Sequence, residues 1–280
     1  MAADPRPQLR AIRLRAPPRD GETRFPHDLP SLQGVSELEL SPTVTVFAGE
    51  NGSGKSTLLE AMALEARLPT VGSVEASRDA SLVQQRQLSE LLTLVWNRRT
   101  HRGFFLRAED FFGFSRRVKN LKSEMAQRLE DIDRDYEGRS DYAKVLARGP
   151  AAGSIRALED RYGEDPDAQS HGESFLSLFR SRFVPDGLYL LDEPEAALSP
   201  QSQLGLVALM KDMVDQGCQF IMATHSPILA AIPGATLYDF SEEPVSRRVY
   251  DDLEGVRLLR DFLARPDGFL RHIWPADRPD

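Results

Sequence analysis

The stretch GENGSGKS at residues 49–56 matches the pattern G-x-x-x-x-G-K-[ST] at every position that the pattern specifies. An apolar, β-branched run at residues 43–48 predicts a strand that leads into it, and apolar side chains at helical spacing over residues 55–67 predict a helix that follows. In such a unit the glycines let successive backbone N–H groups face one anion, and the start of the helix contributes its positive dipole end. The stretch therefore predicts a loop that binds the phosphates of a nucleoside triphosphate.

Side chains within this loop predict individual contacts to the nucleotide. Lys55 can reach the β- and γ-phosphates, and the hydroxyl of Ser56 can ligate Mg²⁺. The expected phosphate-binding residues are Asn51, Gly52, Ser53, Gly54, Lys55, Ser56 and Thr57.

A second stretch, LYLLDE at residues 188–193, is an apolar strand that ends in two adjacent carboxylates. A buried strand has no reason of its own to end in this way, so a metal ion or a proton acceptor is implied. Asp192 would hold Mg²⁺ directly or through water, and Glu193 would act as the general base that polarises the attacking water.

The composition excludes several classes of protein. The chain has 280 residues, of which 41% are apolar and 28% charged, which suits one large domain with a sizeable core. No apolar stretch approaches the ~20 residues that span a bilayer. The single cysteine, Cys218, indicates a reducing compartment, so we expect a cytoplasmic protein without membrane insertion. The net charge of −8 gives no support for tight nucleic-acid binding, although a local basic face stays open.

Strands and helices alternate along the second half of the chain. Short apolar runs at residues 187–191, 219–223 and 235–240 predict strands, and a helix fits between the first two, with Ser199 as its cap and Gly217 at its end. Such alternation predicts an α/β fold with a parallel sheet covered on both faces. Residues 9–14 and 35–40 predict an N-terminal antiparallel piece, the second as an edge strand.

The middle third is charged and mostly helical by pattern. Residues 82–96 predict one helix, residues 104–106 a short buried strand, and residues 116–136 an amphipathic helix packed on one side. Residues 138–166 are rich in Gly, Pro and acidic side chains, so we expect this segment to be mobile.

Several motifs together resemble a known family. GENGSGKSTLLEAMA, from residue 49, resembles the phosphate loop of ABC-type ATPases, including the group related to SMC and Rad50 proteins. With RAEDFF, SHGESF, LLDEPEAALSP and ATHSPILA, the chain resembles a small stand-alone family of bacterial ABC-type AAA ATPases over residues 44–240, and its tail at 251–274 is also similar. The resemblance implies a P-loop NTPase fold with a RecA-like parallel sheet, a single domain over residues 1–280, and a helical subdomain at about 109–182.

The resemblance also implies roles for residues outside the loop. Ser170, Gly172 and Glu173 correspond to the ABC signature, although His171 replaces its first glycine. They would bind the γ-phosphate held by a second subunit, so two chains would form a homodimer around two nucleotides. His225 stands where these proteins place their switch histidine, and Glu109 would take the Q-loop position near Mg²⁺.

The activity implied is Mg²⁺-dependent hydrolysis of ATP, coupled to an unidentified protein partner or a conformational switch. Two departures keep other hypotheses open: Ser199 stands where the D-loop usually has Asp, and no Gln stands clearly at the Q-loop. The alternatives are an ATP-gated switch with little hydrolysis, the ATP subunit of a transporter, and a DNA-repair or defence ATPase. A P-loop kinase or GTPase is disfavoured by the SHGES segment. Phe25 is a weak candidate for stacking on adenine.

Overall fold

The computed structural model of the chain describes residues 8–15, 29–71, 83–162 and 171–274. The strands are β1 (Leu9–Leu14), β2 (Glu37–Glu39), β3 (Val44–Ala48), β4 (Leu92–Trp96), β5 (Gly103–Leu106), β6 (Leu188–Asp192), β7 (Gln219–Thr224), β8 (Thr236–Asp239) and β9 (Ser246–Arg248). The helices are α1 (Lys55–Ala66), α2 (Val83–Leu91), α3 (Ala108–Asp135), α4 (Asp141–Tyr162), α5 (His171–Arg182), α6 (Pro200–Val214), α7 (Pro227–Ala230), α8 (Glu254–Ala264) and α9 (Pro266–Ile273). Short 3₁₀ turns lie at Pro30–Leu32, Pro194–Ala197 and Tyr250–Asp252.

The central sheet has the order β5-β6-β7-β3-β8-β9, and all its strands are parallel except β9. Side chains that alternate along each strand enter two separate cores. Tyr189 belongs to the core that includes Leu206 of α6, whereas Leu190 belongs to the core that includes Leu58 of α1. Because both faces are covered, strands such as β6 are apolar at successive positions. The predicted α/β fold with a parallel sheet is confirmed.

A smaller antiparallel sheet, in the order β2-β1-β4, lies at the N-terminal side of the fold. Its Leu9 and Ile12 share a core with α1. The buried amide of Gln219 links this sheet to β7, since its Oε1 accepts from the N–H of Leu9 and its Nε2 donates to the carbonyl of Leu9, at 2.9 and 2.8 Å. The predicted N-terminal antiparallel piece is therefore present, with β2 at its edge.

The prediction of one helix over residues 82–96 is wrong. Helix α2 ends at Leu91, and Leu92–Trp96 forms β4, which pairs with β1 through the register Ile12↔Leu94. Leu92 and Leu94 are buried and Thr93 between them is exposed, which is the period of a strand. Residues 92–96 form a strand although they continue a helical pattern, because β1 lies beside them and pairs with their backbone.

In the segment 138–166, for which the composition predicted mobility, the structure has a long helix, and the predicted mobility stays a prediction. Helix α4 occupies Asp141–Tyr162, with Pro150 inside it, and residues 163–166 lie outside the described residues. Helix α4 packs against α3, where Arg148 and Asp133 form an ion pair at 2.8 Å. Despite a composition rich in Gly, Pro and acidic side chains, this segment is helical where the long amphipathic helix α3 supplies a packing partner. Helix α3 itself begins at Ala108, earlier than expected.

In the described part of the chain, no helix is both long enough and apolar enough to cross a membrane.

Candidate functional site

Three glycines with positive φ shape the loop between β3 and α1. Gly49, Gly52 and Gly54 have φ values of +134°, +84° and +96°, a region that residues with a Cβ rarely adopt. A Cβ on Gly49 would lie 3.0 Å from the backbone nitrogen of Ser241, whereas one on Gly52 would meet nothing within 4 Å. The loop is therefore closely packed at its start and open around Gly52. Such a loop leaves its backbone N–H groups free to approach an anion.

Lys55 is buried beneath this loop, with 3% of its surface exposed. Its Nζ donates to the carbonyl of Glu50 at 2.6 Å and lies 3.3 Å from the hydroxyl oxygen of Ser53. Burial lowers the pKa of Lys55, and the nearby carboxylates of Glu193 and Asp192 act in the opposite direction. The ammonium group is thus held at the loop, where phosphate oxygens could replace its present partners. Asn51 and Gly52 are exposed, and Ser53, Gly54, Ser56 and Thr57 are half-buried.

Asp192 closes the other side of the site. It is the last residue of β6, next to β7 in the sheet, and its Oδ1 accepts a hydrogen bond from the hydroxyl of Ser56 at 2.8 Å. Burial raises the pKa of Asp192 to about 7, although the hydrogen bond from Ser56 favours the ionised form. Two residues separated by 136 positions in sequence therefore meet in one polar contact.

Glu193 follows Asp192 with φ of +45°, which is unusual for a residue with a side chain. Its N–H donates to the carbonyl of Ala223 at 2.9 Å, and its side chain is 25% exposed. One Glu193 oxygen lies 3.9 Å from Nδ1 of His225, which stands directly after β7. The turn thus directs an accessible carboxylate toward the histidine at the carboxyl edge of the sheet.

Glu195 is a buried carboxylate at this edge that the sequence analysis did not select. Its Oε1 accepts hydrogen bonds from the hydroxyl of Thr224 at 2.5 Å, from the N–H of His225 at 2.8 Å and from the N–H of Ser226 at 3.2 Å. The same oxygen lies 3.3 Å from Nδ1 of His225. The sequence could have indicated this residue, because Glu195 is the one charged residue in the otherwise apolar stretch PEAAL at residues 194–198.

Other predicted site residues are not located as side chains. Ser170 and Phe25 lie outside the described residues. Gly172 and Glu173 fall in the first turn of α5, and Glu109 falls in the first turn of α3. The structure thus brings together the loop, Asp192, Glu193 and His225, while the predicted contribution of the signature and of Glu109 stays a prediction.

A recess opens beside the loop. Gly49 and Glu50 line one side of it, His225 and Asp239 line another, and Leu258 of α8 lies at its rim. The exposed part of His225 therefore faces space that is continuous with the phosphate loop.

The donor set at Ser56 and Asp192 suits Mg²⁺. A hydroxyl and a carboxylate are hard oxygen ligands, and Mg²⁺ in nucleotide sites takes one or two protein ligands and completes its shell with phosphates and water. In the part of the chain that the structure describes, no group of three or more His, Cys, Asp and Glu side chains could hold a metal by itself. The two oxygens match a metal that arrives with a nucleotide.

Two family models and several known proteins are similar to parts of this chain. A family model described as "AAA domain" matches residues 30–64, and one described as "AAA domain, putative AbiEii toxin, Type IV TA system" matches residues 174–231. The macrolide export ATP-binding/permease protein MacB of Salmonella typhimurium is 28% identical over 190 residues, which are 67% of this chain and 27% of the relative. The pyoverdine export ATP-binding/permease protein PvdT of Pseudomonas entomophila is 31% identical over 203 residues, 71% of this chain and 28% of the relative.

The chain thus spans 27–28% of the length of these two relatives. Among solved structures, the SMC head domain from Thermotoga maritima aligns with a TM-score of 0.44 and 14% identity, covering 86% of this chain and 99% of that chain. The two AAA matches cover both halves of the site, the phosphate loop and the strand edge that carries Asp192 and His225. In both halves of the site the chain is thus similar to AAA domains, and over 71% of its length it is similar to an ATP-binding/permease protein.

Proposed function

We propose that the chain binds ATP with Mg²⁺ and hydrolyses it to ADP and phosphate. The observation that carries this proposal is the 2.8 Å hydrogen bond from Ser56 to Asp192, because it joins the phosphate loop to the acidic end of β6. A loop with glycines alone would support phosphate binding. A carboxylate held beside the hydroxyl of that loop supports nucleotide chemistry as well.

The loop residues would hold the nucleotide. Backbone N–H groups over residues 51–57 and the helix start would bind the phosphates, and Lys55 would exchange the carbonyl of Glu50 for phosphate oxygens. Ser56 and Asp192 would hold Mg²⁺, with Glu109 as a further proposed ligand. When bound, Mg²⁺ neutralises charge on the phosphates.

Glu193 would accept the proton of the attacking water. Its exposed carboxylate can reach a water at the mouth of the loop, and the buried Asp192 beside it is committed to Ser56. His225, 51% exposed and 3.9 Å from Glu193, would contact the γ-phosphate or that water.

We further propose that two chains close around two nucleotides. Ser170, Gly172 and Glu173 at the start of α5 would bind the γ-phosphate of the partner's nucleotide, and the ATP-dependent closure would act on a protein partner that is not identified here. A cytoplasmic location is part of this proposal.

Mass in solution tests the dimer. The Glu193→Gln variant should bind ATP, hydrolyse it very slowly and shift from monomer to dimer in Mg·ATP, while the same variant with Ser170→Ala added should stay monomeric. A Glu193→Gln protein that binds ATP at saturation and never changes mass would contradict the sandwich. Hydrolysis by such a monomer would leave the ATPase proposal standing alone.

The similarity to export proteins favours a second candidate. The relatives named above are ATP-binding/permease proteins, and this chain matches only part of their length. An ATP subunit that acts with a separate permease would fit these matches. The test is to purify the tagged Glu193→Gln chain, which should hold the closed state, from solubilised membranes. A membrane protein that co-purifies with the chain would support the transporter candidate. Purification of the chain without any membrane protein would count against that candidate.

A further inference from the structure

We propose that Glu195 is a positioning residue for His225, which fixes the orientation and the tautomer of its imidazole ring. The inference rests on the proposed function, since it assigns a supporting partner to the histidine of that site. The juxtaposition that carries it is Oε1 of Glu195 against both the backbone N–H and the ring Nδ1 of His225, at 2.8 and 3.3 Å.

Glu195 is held rigidly enough for this role. It lies in the 3₁₀ turn Pro194–Ala197, where its carbonyl accepts from the N–H of Leu198 at 2.9 Å. Its side chain is 5% exposed, and the hydroxyl of Thr224 donates to its Oε1 at 2.5 Å. Contacts on both its backbone and its side chain leave the carboxylate little freedom to move away from β7.

The hydrogen bonds that Oε1 of Glu195 accepts from the turn after β7 are a structural role, and the contact to the ring of His225 is additional to it. The start of α7 is already capped by the hydroxyl of Ser226, which accepts from the N–H groups of Ile228 and Leu229. The second oxygen of Glu195, Oε2, is buried and has no hydrogen-bond partner among the described residues. Burying a carboxylate with half of its acceptor capacity unused is costly. An apolar side chain would avoid that cost but would leave the N–H groups of His225 and Ser226 and the hydroxyl of Thr224 without their acceptor. The acid therefore holds the turn, and the same oxygen also lies against the ring of His225.

The two glutamates near His225 differ in burial, and this difference suits them to different roles. Glu195 is 5% exposed and lies 3.3 Å from Nδ1, whereas Glu193 is 25% exposed and lies 3.9 Å away. The buried and nearer carboxylate is suited to hold the ring. The more exposed one stays available to water. Contacts of this kind shorten when substrate is bound, so a distance of 3.3 Å suits a resting site.

This arrangement has a chemical consequence for the ring. An imidazole whose Nδ1–H donates to a carboxylate carries its lone pair on Nε2, at the opposite side of the ring. Nε2 could then accept a proton or a hydrogen bond from a water beside the phosphate loop. Without Glu195, the neutral ring would be free to adopt either tautomer and to rotate.

The ¹⁵N NMR resonances of the His225 ring test this directly. They are assigned by their loss in His225→Ala, and recorded at a pH where the ring is neutral. The wild-type protein should show Nδ1 protonated and Nε2 unprotonated. Glu195→Ala should show mixed tautomers and lower the kcat of ATP hydrolysis about 10- to 100-fold with little change in ATP affinity. Glu195→Gln, which keeps an acceptor oxygen, should retain the tautomer and most of the kcat.

Two comparisons separate this role from loss of structure. Gln203→Ala removes the acceptor of the hydroxyl of Ser226, an oxygen on α6 that lies 2.6 Å from that hydroxyl, but should leave the tautomer of His225 unchanged. In a His225→Ala background, Glu195→Ala should lower kcat no further. A wild-type ring protonated on Nε2, or an equal loss of kcat with and without His225, would overturn the proposal.

The readouts also separate this inference from the proposed function. If the protein binds ATP and does not hydrolyse it, the hydrolysis proposal fails, while the ring nitrogens of wild type and Glu195→Ala still decide the role of Glu195. If Glu195→Ala does not fold, the wild-type tautomer alone decides it.

Discussion

Lys55 is the side chain of the phosphate loop that we expect to contact ATP. Its ammonium group is buried and bonded to the carbonyl of Glu50, so it is positioned for phosphate before any ligand arrives. Lys55→Ala should weaken ATP binding about 10- to 100-fold, because this is the change in affinity expected when one hydrogen bond to a charged group is lost. Calorimetry measures the affinity for ATP. Lys211→Ala is the matched control, because Lys211 is an exposed lysine paired with Asp215 on α6. Equal effects of the two substitutions would argue against a phosphate contact.

Tyr189 gives a prediction for pH. Burial raises the pKa of Tyr189 to about 12, and its hydroxyl donates to the carbonyl of Val184 at 2.9 Å. The unfolded value is ~10, so the folded state favours the protonated phenol. The contribution of Tyr189 to stability is therefore complete below pH 10 and is lost as pH rises toward 12.

Urea unfolding of Tyr189→Phe measures this contribution. At pH 8 the variant should be less stable by about 1–3 kcal/mol, because a buried hydrogen-bonding group is removed. Above pH 10 the difference should narrow, since only the wild type has a phenol to ionise at this position. A gap that is the same at pH 8 and pH 11.5 would contradict the expected titration.

Among the elements, strand β5 pairs with β6 at a position, Gly103, where the backbone of β6 leaves no space for a side chain. Its φ is +119°, and a Cβ placed there would lie 1.8 Å from the carbonyl oxygen of Leu188. Gly103→Ala should therefore force the two backbones apart and lower the free energy of unfolding by about 3 kcal/mol, measured by denaturant titration. Gly149 in α4 is the control, because a Cβ there meets nothing within 4 Å. Gly149→Ala should be neutral or stabilising.

Elements with local signals were predictable. Ser199 accepts from the N–H of Ser202 as the cap of α6, Pro200 occupies the first turn, and Gly217 has φ of +83° just beyond the end. Each of these residues acts on backbone groups a few positions away, so the sequence alone indicates it. Strand β4 was not predictable in this way, because Leu92–Trp96 becomes a strand only when β1 lies beside it.

For the whole molecule, binding of nucleotide should couple to global stability. At 100 times the Kd, a ligand that binds only the folded state adds about 2.7 kcal/mol. For a domain of this size we expect Mg·ATP to raise the unfolding midpoint by about 5–10 °C. ATP with EDTA should raise it less, because Ser56 and Asp192 then lack the metal that links them to the phosphates. Equal shifts with and without Mg²⁺ would contradict the assigned ligands.

Ser56→Ala sharpens this measurement. The variant keeps Lys55 and the loop backbone, so it should retain the shift given by ATP in EDTA. It should lose most of the additional shift given by Mg²⁺. A variant that keeps the full Mg²⁺-dependent shift would remove the Ser56 hydroxyl from the metal site.

Taken by itself, the sequence determined the phosphate loop, the acidic end of β6 and the alternation of strands and helices. These features depend on glycine spacing, capping and periodicity over a few residues, so local chemistry is enough to identify them. The tertiary structure decided that Ser56 meets Asp192 across 136 positions, that Glu195 lies against His225, and that residues 92–96 join a sheet. Such contacts depend on which strands become neighbours. Which strands become neighbours depends on the packing of the whole chain, so no single segment of the sequence determines it.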